Sequence, residues 1–377
     1  MHGDSSLKIY GSAGDYSLPV DAGVAVRGAA ASIYSFQNFS YSAVNPVTGA
    51  PINPVAISPI SYANGAAGIA PNPVSYATEN LKPFKQREFI LGAQQQVGDW
   101  TLGVKGTFRK VLTGIDDMCD FRPIAAYANA VYGMNLPTDS LSPPLDNPYL
   151  NGCYIGNPGS GVQLALPLDV NNPSKLYPVN LTAAQIGEPK YKRNYYALSL
   201  TAERNFNNRF YLNVSYTYAR SYGNSEGLVD SNIGQADTGT SELFDYPELM
   251  YGTNGDQTND HRHTLKAYGA WKVTTEWTLG ANLLAQTGRP QNCYGDAPID
   301  YAIGGYGSSG GSSPYLYCVV DGMGEWVTRG SAGRTPTLWQ LDLNVAYQPQ
   351  WFKGLTLRAT VFNVFNRHTV LTVNENQ

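Results

Sequence analysis

The sequence predicts an all-β chain, the wall of an antiparallel transmembrane β-barrel with about ten strands joined alternately by very short turns and very long loops. Three observations predict it. Paired stretches of about ten residues alternate apolar with polar side chains. Charged residues are only 14% of the chain, against roughly 25% in a soluble domain. Several connections run to about forty to seventy residues, too long for a compact soluble domain.

The clearest pair spans His261 to Pro290. In its first strand His263, Leu265, Ala267, Gly269, Trp271 and Val273 share one face, and Thr264, Lys266, Tyr268, Ala270 and Lys272 share the other. After the link TTE, Trp277, Leu279, Ala281, Leu283 and Ala285 alternate against Thr278, Gly280, Asn282 and Gln286, with Leu284 out of step. One apolar and one polar face on strands this long is what a membrane-crossing barrel needs. Taken alone, the hairpin fits a soluble sandwich equally well. Its recurrence along the chain decides the matter.

In chain order, Leu7 to about Gly14 is the first alternating piece, and the link SLPV leads to a second strand, Val24 to Phe36. A Pro/Asn/Ala/Gly-rich stretch follows to about Lys82. Phe89, Leu91 and Ala93 then alternate into the turn Gly98-Asp99. Trp100, Leu102, Val104, Gly106 and Phe108 answer them, with Thr101, Lys105, Thr107 and Arg109 opposite. An irregular stretch runs from about Leu112 to Lys190. Tyr196, Leu198, Leu200 and Ala202 next pair with Phe210, Leu212, Val214, Tyr216 and Tyr218 around Asn207-Asn208. Tyr222–Asp260 is again irregular, as is the Gly/Ser-rich stretch from Gln291 to about Pro336, beyond the 261–290 hairpin. Last come Trp339, Leu341, Leu343, Val345 and Tyr347 against Gln340, Asp342, Asn344 and Ala346. A link through Trp351 reaches Leu355, Leu357, Ala359 and Val361, set against Thr356, Arg358 and Thr360.

Barrels of the outer membrane have short periplasmic turns and long extracellular loops. The aromatics agree: Trp100, Phe206, Phe210, Trp271, Trp277, Trp351 and Phe352 gather at the short turns, as an interfacial belt requires. Lys105, Arg109, Glu203, Lys266, Asp342 and Arg358 sit on the polar faces and belong in a wet lumen.

Composition narrows the function classes. The chain has 39 Gly, 27 Tyr and a mean hydropathy of −0.28, and no apolar run approaches the roughly eighteen residues of a membrane helix. A net charge of −4 argues against nucleic acid as a partner. The start, MHGDSSLKIYGS, lacks the basic segment and apolar core of a signal peptide, so for an exported protein the chain is expected to be incomplete. Cys119, Cys153, Cys293 and Cys318 all lie in irregular stretches and allow three connectivities. The nearest-in-sequence pairing closes two long loops, an oxidising compartment is the economical reading, and unpaired loop thiols are the alternative. No pair has zinc-type spacing, and no cofactor is implied.

Other motifs carry little chemistry. Gly305 to Gly310 matches G-x-G-x-x-G formally, but without a preceding strand or following helix it reads as a loop tip. Asp260, His261 and His263 are an acid/base or metal candidate weakened by the scarcity of histidine, four in all. Glu226, Asp230 and Asp237, with Asn224, Asn232 and Gln235, have the chemistry of a calcium loop, though self-hydrogen-bonding turns explain them as well. The Asn-x-Ser/Thr matches at Asn38, Asn180 and Asn213 have no weight in a bacterial envelope protein. No residue is expected to be catalytic.

Residues 222–263 read YGNSEGLVDSNIGQADTGTSELFDYPELMYGTNGDQTNDHRH. This stretch resembles the TonB-dependent receptors of the Oar-like branch, whose barrels have G-N-x-E-G, Q-x-D-x-G, F-D-x-P and N-D-R-R-H in this order. The matching residues are Asn224 and Glu226, Gln235 and Asp237, Asp245, and Asp260, Arg262 and His263, with His261 where the family usually has Arg. Leu81-Lys82-Pro83, Glu88 to Gly92, Ile115-Asp116-Asp117 and the terminal Val361 to Asn366 are also similar to the family. The resemblance implies a family barrel of twenty-two strands. Residues 1–377 are then its C-terminal portion, with signal peptide, TonB box, plug and last strand absent. Counting by connections, the strand at 354–366 runs outward and that at 5–14 inward, which corresponds to strands twelve to twenty-one. It further implies a bacterial outer-membrane receptor. An unknown extracellular ligand binds at the loops and is imported with energy from an inner-membrane TonB-type protein acting through the plug. An outer-membrane barrel protease or lipase, and a soluble secreted β-rich binding protein, are the competing readings.

Overall fold

The computed structural model describes residues 6–20, 22–27, 35–62, 72–141, 143–144, 147, 149–150, 152–207, 209–232, 234–235, 238–298 and 315–375. Ten strands form one antiparallel sheet. Nine cross it in chain order: β1 Leu7–Leu18, β2 Phe84–Val97, β3 Trp100–Thr113, β4 Arg193–Arg204, β5 Phe210–Gly223, β6 His263–Lys272, β7 Trp277–Gln286, β8 Leu338–Tyr347 and β9 Leu357–Val361. The tenth, Gly255–Asp256, pairs antiparallel with the end of β5 at Tyr222 and Gly223. Each strand pairs with its predecessor along the wall, the up-and-down topology of a membrane barrel.

Register propagates the sequence alternation across the sheet. Ala93, Val104, Leu200, Tyr216, Leu265, Ala285 and Trp339 stand side by side on seven successive strands. A parallel row holds Leu102, Ala202, Val214, Ala267, Leu283 and Leu341. One residue away, on the other face, stand Gln96, Thr101, Glu203, Asn213, Tyr268, Asn282 and Asp342. The apolar face is uncovered, with Leu91 68%, Leu200 47% and Leu343 40% exposed. The three buried hydrophobic clusters draw none of their members from the two apolar rows. Large side chains left bare in rows are a wall made for lipid.

The apolar band is bounded at both ends. At one end Phe210 pairs with Trp271, Trp277 stacks on Tyr347 at 4.4 Å, and Trp351 lies 6.0 Å from Phe352. At the other the same face turns polar with Arg87 beside Lys110, and Arg87 and Lys85 pair with Asp15. On β3, Trp100 and Lys110 are ten residues apart. At about 3.3 Å per residue and a tilt near 40°, that separation is about 25 Å along the membrane normal, the height of an outer-membrane apolar band.

Three expectations are corrected here. Val24–Phe36 is not a strand: Ala22–Arg27 is helical, only Ser35–Phe36 is extended, and residues 28–34 lie outside the described residues. The alternation there rested on Ala and Gly, which have little preference for a pleated surface. Val24 is instead buried against Tyr76 and Phe84. Because β1 pairs directly with β2, antiparallel from Leu7 opposite Gln95 to Leu18 opposite Phe84, it runs outward and not inward. The wall therefore has nine full strands, and all its long connections emerge at one end. The last strand stops at Val361, short of the expected Asn366, where Asn363 turns to φ 48° and its N–H donates to Asp342 Oδ1 at 2.8 Å.

The long connections are not irregular. Residues 114–192 hold the helix Arg122–Tyr132, the paired strands Val162–Leu166 and Tyr177–Leu181, and a capped turn at Ala183–Ile186. Ile124, Ala125, Ala128, Val162, Leu164, Val179, Leu181 and Ile186 form a buried core among them. Local signals mark these pieces: Pro123 at the helix start, Gly133 at φ 64° beyond its end, and Thr182-Gln185 as a capping box. Apart from the eleven-residue helix these pieces are four or five residues long, so no long period records them.

Both disulfides, Cys119–Cys153 and Cys293–Cys318, lie within this loop layer. The first closes a separation of 34 residues, for which chain entropy gives about 4 kcal/mol. Replacing Cys119 and Cys153 together by Ala is expected to raise the rate of proteolytic cleavage within residues 114–192. An unchanged cleavage rate contradicts this.

Candidate functional site

The first and last of the four sequence motifs of residues 222–263 lie at the base of the loop layer, just beyond the ends of β4, β5 and β6. Asn224, 3% exposed, ties two strand exits together. Its backbone N–H donates to Lys192 O at 2.9 Å, its Nδ2 donates to Lys190 O at 2.9 Å, and its Oδ1 accepts from Lys192 N at 2.7 Å. Ser225 Oγ and Gly227 O engage the hydroxyl of buried Tyr191. Glu226 accepts from Ser231 Oγ at 2.8 Å, and Gln235 donates to Thr240 O. Asp237 lies outside the described residues, as do Gly305 to Gly310.

The last motif is an ionic knot. Asp260, with its side chain wholly buried, accepts from Ser221 N at 2.7 Å and pairs with Arg262 at 3.0 Å and with Arg334. Asp256 takes Arg220 and Arg262, each at 2.8 Å, and Arg334 at 3.6 Å. Arg334 also donates to Asp260 O and Gly288 O, so one side chain ties the next loop to the β5–β6 connection. Sequence reasoning found Asp260 and Arg262 but missed Arg334, which lies in a stretch without period or motif. His263 bonds Tyr216 OH through Nδ1 at 2.7 Å on the exposed face, while His261 Nδ1 lies 2.7 Å from Thr287 O. The histidines are thus held by separate partners and Asp260 is occupied by arginines. They do not assemble an acid/base centre.

A second polar cluster lies deeper. Asp245 lies against the first disulfide, its Oδ1 3.1 Å from Cys119 Sγ. Asp116 accepts from Ser241 Oγ at 2.7 Å, and Arg122 forks onto Asp120 at 2.8 Å and Glu248 at 2.9 Å. Glu188 is 5% exposed and neither of its carboxylate oxygens has a hydrogen-bond donor. Burial pushes its carboxyl up to about 9, with Asp120, Glu248, Asp245 and Asp116 adding repulsion. Tyr154 OH, also unpartnered, is raised by burial and by Asp120 and Glu188. Elsewhere Arg329 is fully buried, its Nε donating to Thr253 O at 3.0 Å.

With this geometry in view, the similarities to known proteins fall into place. Residues 16–376 match the family described as outer membrane beta barrel domain. The chain is 27% identical over 244 residues to the TonB-dependent transporter Oar of Myxococcus xanthus, covering 64% of this chain and 19% of that protein. It spans, in other words, about a fifth of that relative's length. Among solved structures, the outer membrane transporter YddB from Escherichia coli is 12% identical with a TM-score of 0.40, over 78% of this chain and 30% of that one. The ferripyoverdine receptor of Pseudomonas aeruginosa is 10% identical with a TM-score of 0.39, over 85% and 32%. The family match covers nearly the whole chain, and the chain belongs to the outer-membrane β-barrel domain family, a bacterial outer-membrane protein homologous to a TonB-dependent transporter.

Proposed function

We propose that the chain is the C-terminal portion of the barrel of a TonB-dependent receptor, which binds a ligand at its extracellular loops and imports it with inner-membrane energy. Supporting this reading most is the asymmetry of the wall. Folded loops with their own buried cores stand at one end, short turns with an aromatic belt at the other, and a polar face runs between them. Such a wall positions binding loops over an aqueous lumen and needs no bond chemistry. β1 and β9 are the two edges of the sheet, each hydrogen-bonded to one neighbour. Bare strand edges are not tolerated in lipid, so further strands complete the wall. With β1 running outward, the nine strands correspond to strands thirteen to twenty-one of the family barrel.

The ligand contacts come from the tyrosine-rich loops, where amphipathic rings give large contact area at small conformational cost. Asn224, Glu226, Gln235, Asp245, Asp260, Arg262 and His263 are assigned to holding the loop layer together, not to touching ligand. The test compares cells expressing the complete receptor in strains with and without the TonB-type protein, following loss of compounds from the medium. Depletion of a defined compound only when that protein is present supports the reading. Equal depletion in both strains contradicts it.

A further inference from the structure

We propose that a lysine-lined cleft at the loop end of the apolar band binds the phosphate-bearing headgroup of an outer-leaflet lipid. The cleft has a volume of about 390 Å3 and is lined by Lys82, Lys110, Lys190 and Lys192. All four are exposed, and no carboxylate lines the cleft. Among the described residues none of the four is in an ion pair. Arg87, by contrast, stands across from Lys110 in the β2–β3 register and is neutralised by Asp15. Positive charge is therefore concentrated in the cleft and left unanswered there.

The backbone brings the four lysines together. Lys110 stands opposite Asn194 in the β3–β4 register, and Lys192 lies two residues before Asn194 on the same face. Lys192 keeps that face because its N–H and its C=O are both bonded to Asn224, which prolongs the β4–β5 ladder. Lys82 is fixed by Asn157, which accepts from its N–H at 2.8 Å and donates to its C=O at 2.9 Å. A third bond from Asn157 reaches Gly114 O at 2.8 Å, so one buried amide ties the exits of β2 and β3. The turn that Asn157 begins lies directly on Lys190. A Cβ at Gly159, which has φ 73°, would stand 2.5 Å from Lys190 Cα, an approach that only glycine permits.

Position selects the ligand. Lys110 shares the lipid-facing side of β3 with Trp100, and the tilted strand sets it about 25 Å from the aromatic belt. At that height acyl chains end and headgroups begin. Lysine serves phosphate as a compact point charge, and a phosphate monoester has a charge of about −1.5 to −2 at neutral pH. Leu112, 39% exposed, also lines the cleft and offers an apolar contact beside the charges. An amphiphile satisfies both, where a small soluble anion leaves Leu112 bare. Basic pockets at the headgroup level are how membrane proteins hold anionic lipids. The inference rests on the proposed reading only in that the loop end faces outward; it does not need import.

The experiment uses the complete receptor in a zwitterionic detergent, with binding read by native mass spectrometry. The probes are a diphosphorylated glucosamine-disaccharide lipid and the same lipid after enzymatic dephosphorylation. The phosphorylated lipid is expected to bind, and Lys110→Gln combined with Lys192→Gln to weaken it by about tenfold or more. The dephosphorylated lipid is expected to bind weakly and to be indifferent to the substitutions. Lys105→Gln, on the lumen side of β3, is the control and is expected to leave binding unchanged. All three lysines are exposed, so their replacement leaves the fold intact. The proposal is overturned if the double substitution changes nothing or if both lipids bind alike. Displacement of the lipid by millimolar inorganic phosphate also overturns it, since the cleft would then be a site for soluble phosphate. The depletion assay is run on the same receptor: depletion without lipid binding sinks this inference alone, and lipid binding without depletion sinks the import reading alone.

Discussion

Leu283→Arg is expected to destabilise the protein in lipid bilayers by about 2–4 kcal/mol, whereas Asn282→Arg, one position earlier, is expected to cost less than about 1 kcal/mol. The two residues are neighbours on β7 but face opposite ways. Leu283 stands between Ala267 and Leu341 in an apolar row, and Asn282 between Tyr268 and Asp342 in the polar one. A guanidinium on the first face must be buried in hydrocarbon; on the second it meets the carboxylate of Asp342. Equilibrium unfolding of the two variants in phospholipid vesicles measures the difference. Equal costs would contradict the assignment of faces, because a period of two leaves no intermediate placement.

Asp260→Ala is expected to lower the stability of the loop layer by about 3 kcal/mol. The substitution leaves Arg262 and Arg334 without their shared buried acceptor and orphans the Ser221 N–H. The arginines are 23% and 30% exposed, so water recovers part of the loss and the value falls at the lower end for a broken buried pair. Arg220→Ala removes one half-exposed partner of Asp256 and is expected to cost less than about 1 kcal/mol. Thermal unfolding reported by protease cleavage in residues 224–262 compares the two. A smaller effect for Asp260→Ala than for Arg220→Ala would overturn the knot as the clasp of the loop base.

The wall was legible in the sequence because lipid on one side and water on the other force every residue of a strand to declare its face. Leu198, Leu200 and Leu283 against Ser199, Thr201 and Asn282 carry that record directly. Where the alternation was counted on Ala and Gly, at Val24–Phe36, it misled, since small side chains neither need burial nor resist a helix. The loops were opaque for a different reason. Val179 and Phe244 are core residues by burial, yet each belongs to a piece of three to five residues, too short to show a period, and the buried stripe of the helix Arg122–Tyr132 is marked only by Ile124 and two alanines. The site was half legible. Asp260 and Arg262 stood out through motif resemblance, but Arg334, some seventy residues on, has no local signature and its pairing exists only in three dimensions. Glu188 was silent in the sequence too, because what distinguishes it is the absence of a partner once folded.

The most direct measurement places single spin labels along β8, at each position from Trp339 to Tyr347, in the protein reconstituted in lipid bilayers. Collision rates with a lipid-soluble and a water-soluble relaxant are read at every site. The account predicts strict alternation, with Trp339, Leu341, Leu343, Val345 and Tyr347 favouring the lipid-soluble relaxant and Gln340, Asp342, Asn344 and Ala346 the aqueous one. Low accessibility to both relaxants at Leu341 and Leu343 would mean that protein covers that face, and there would be no lipid-exposed wall.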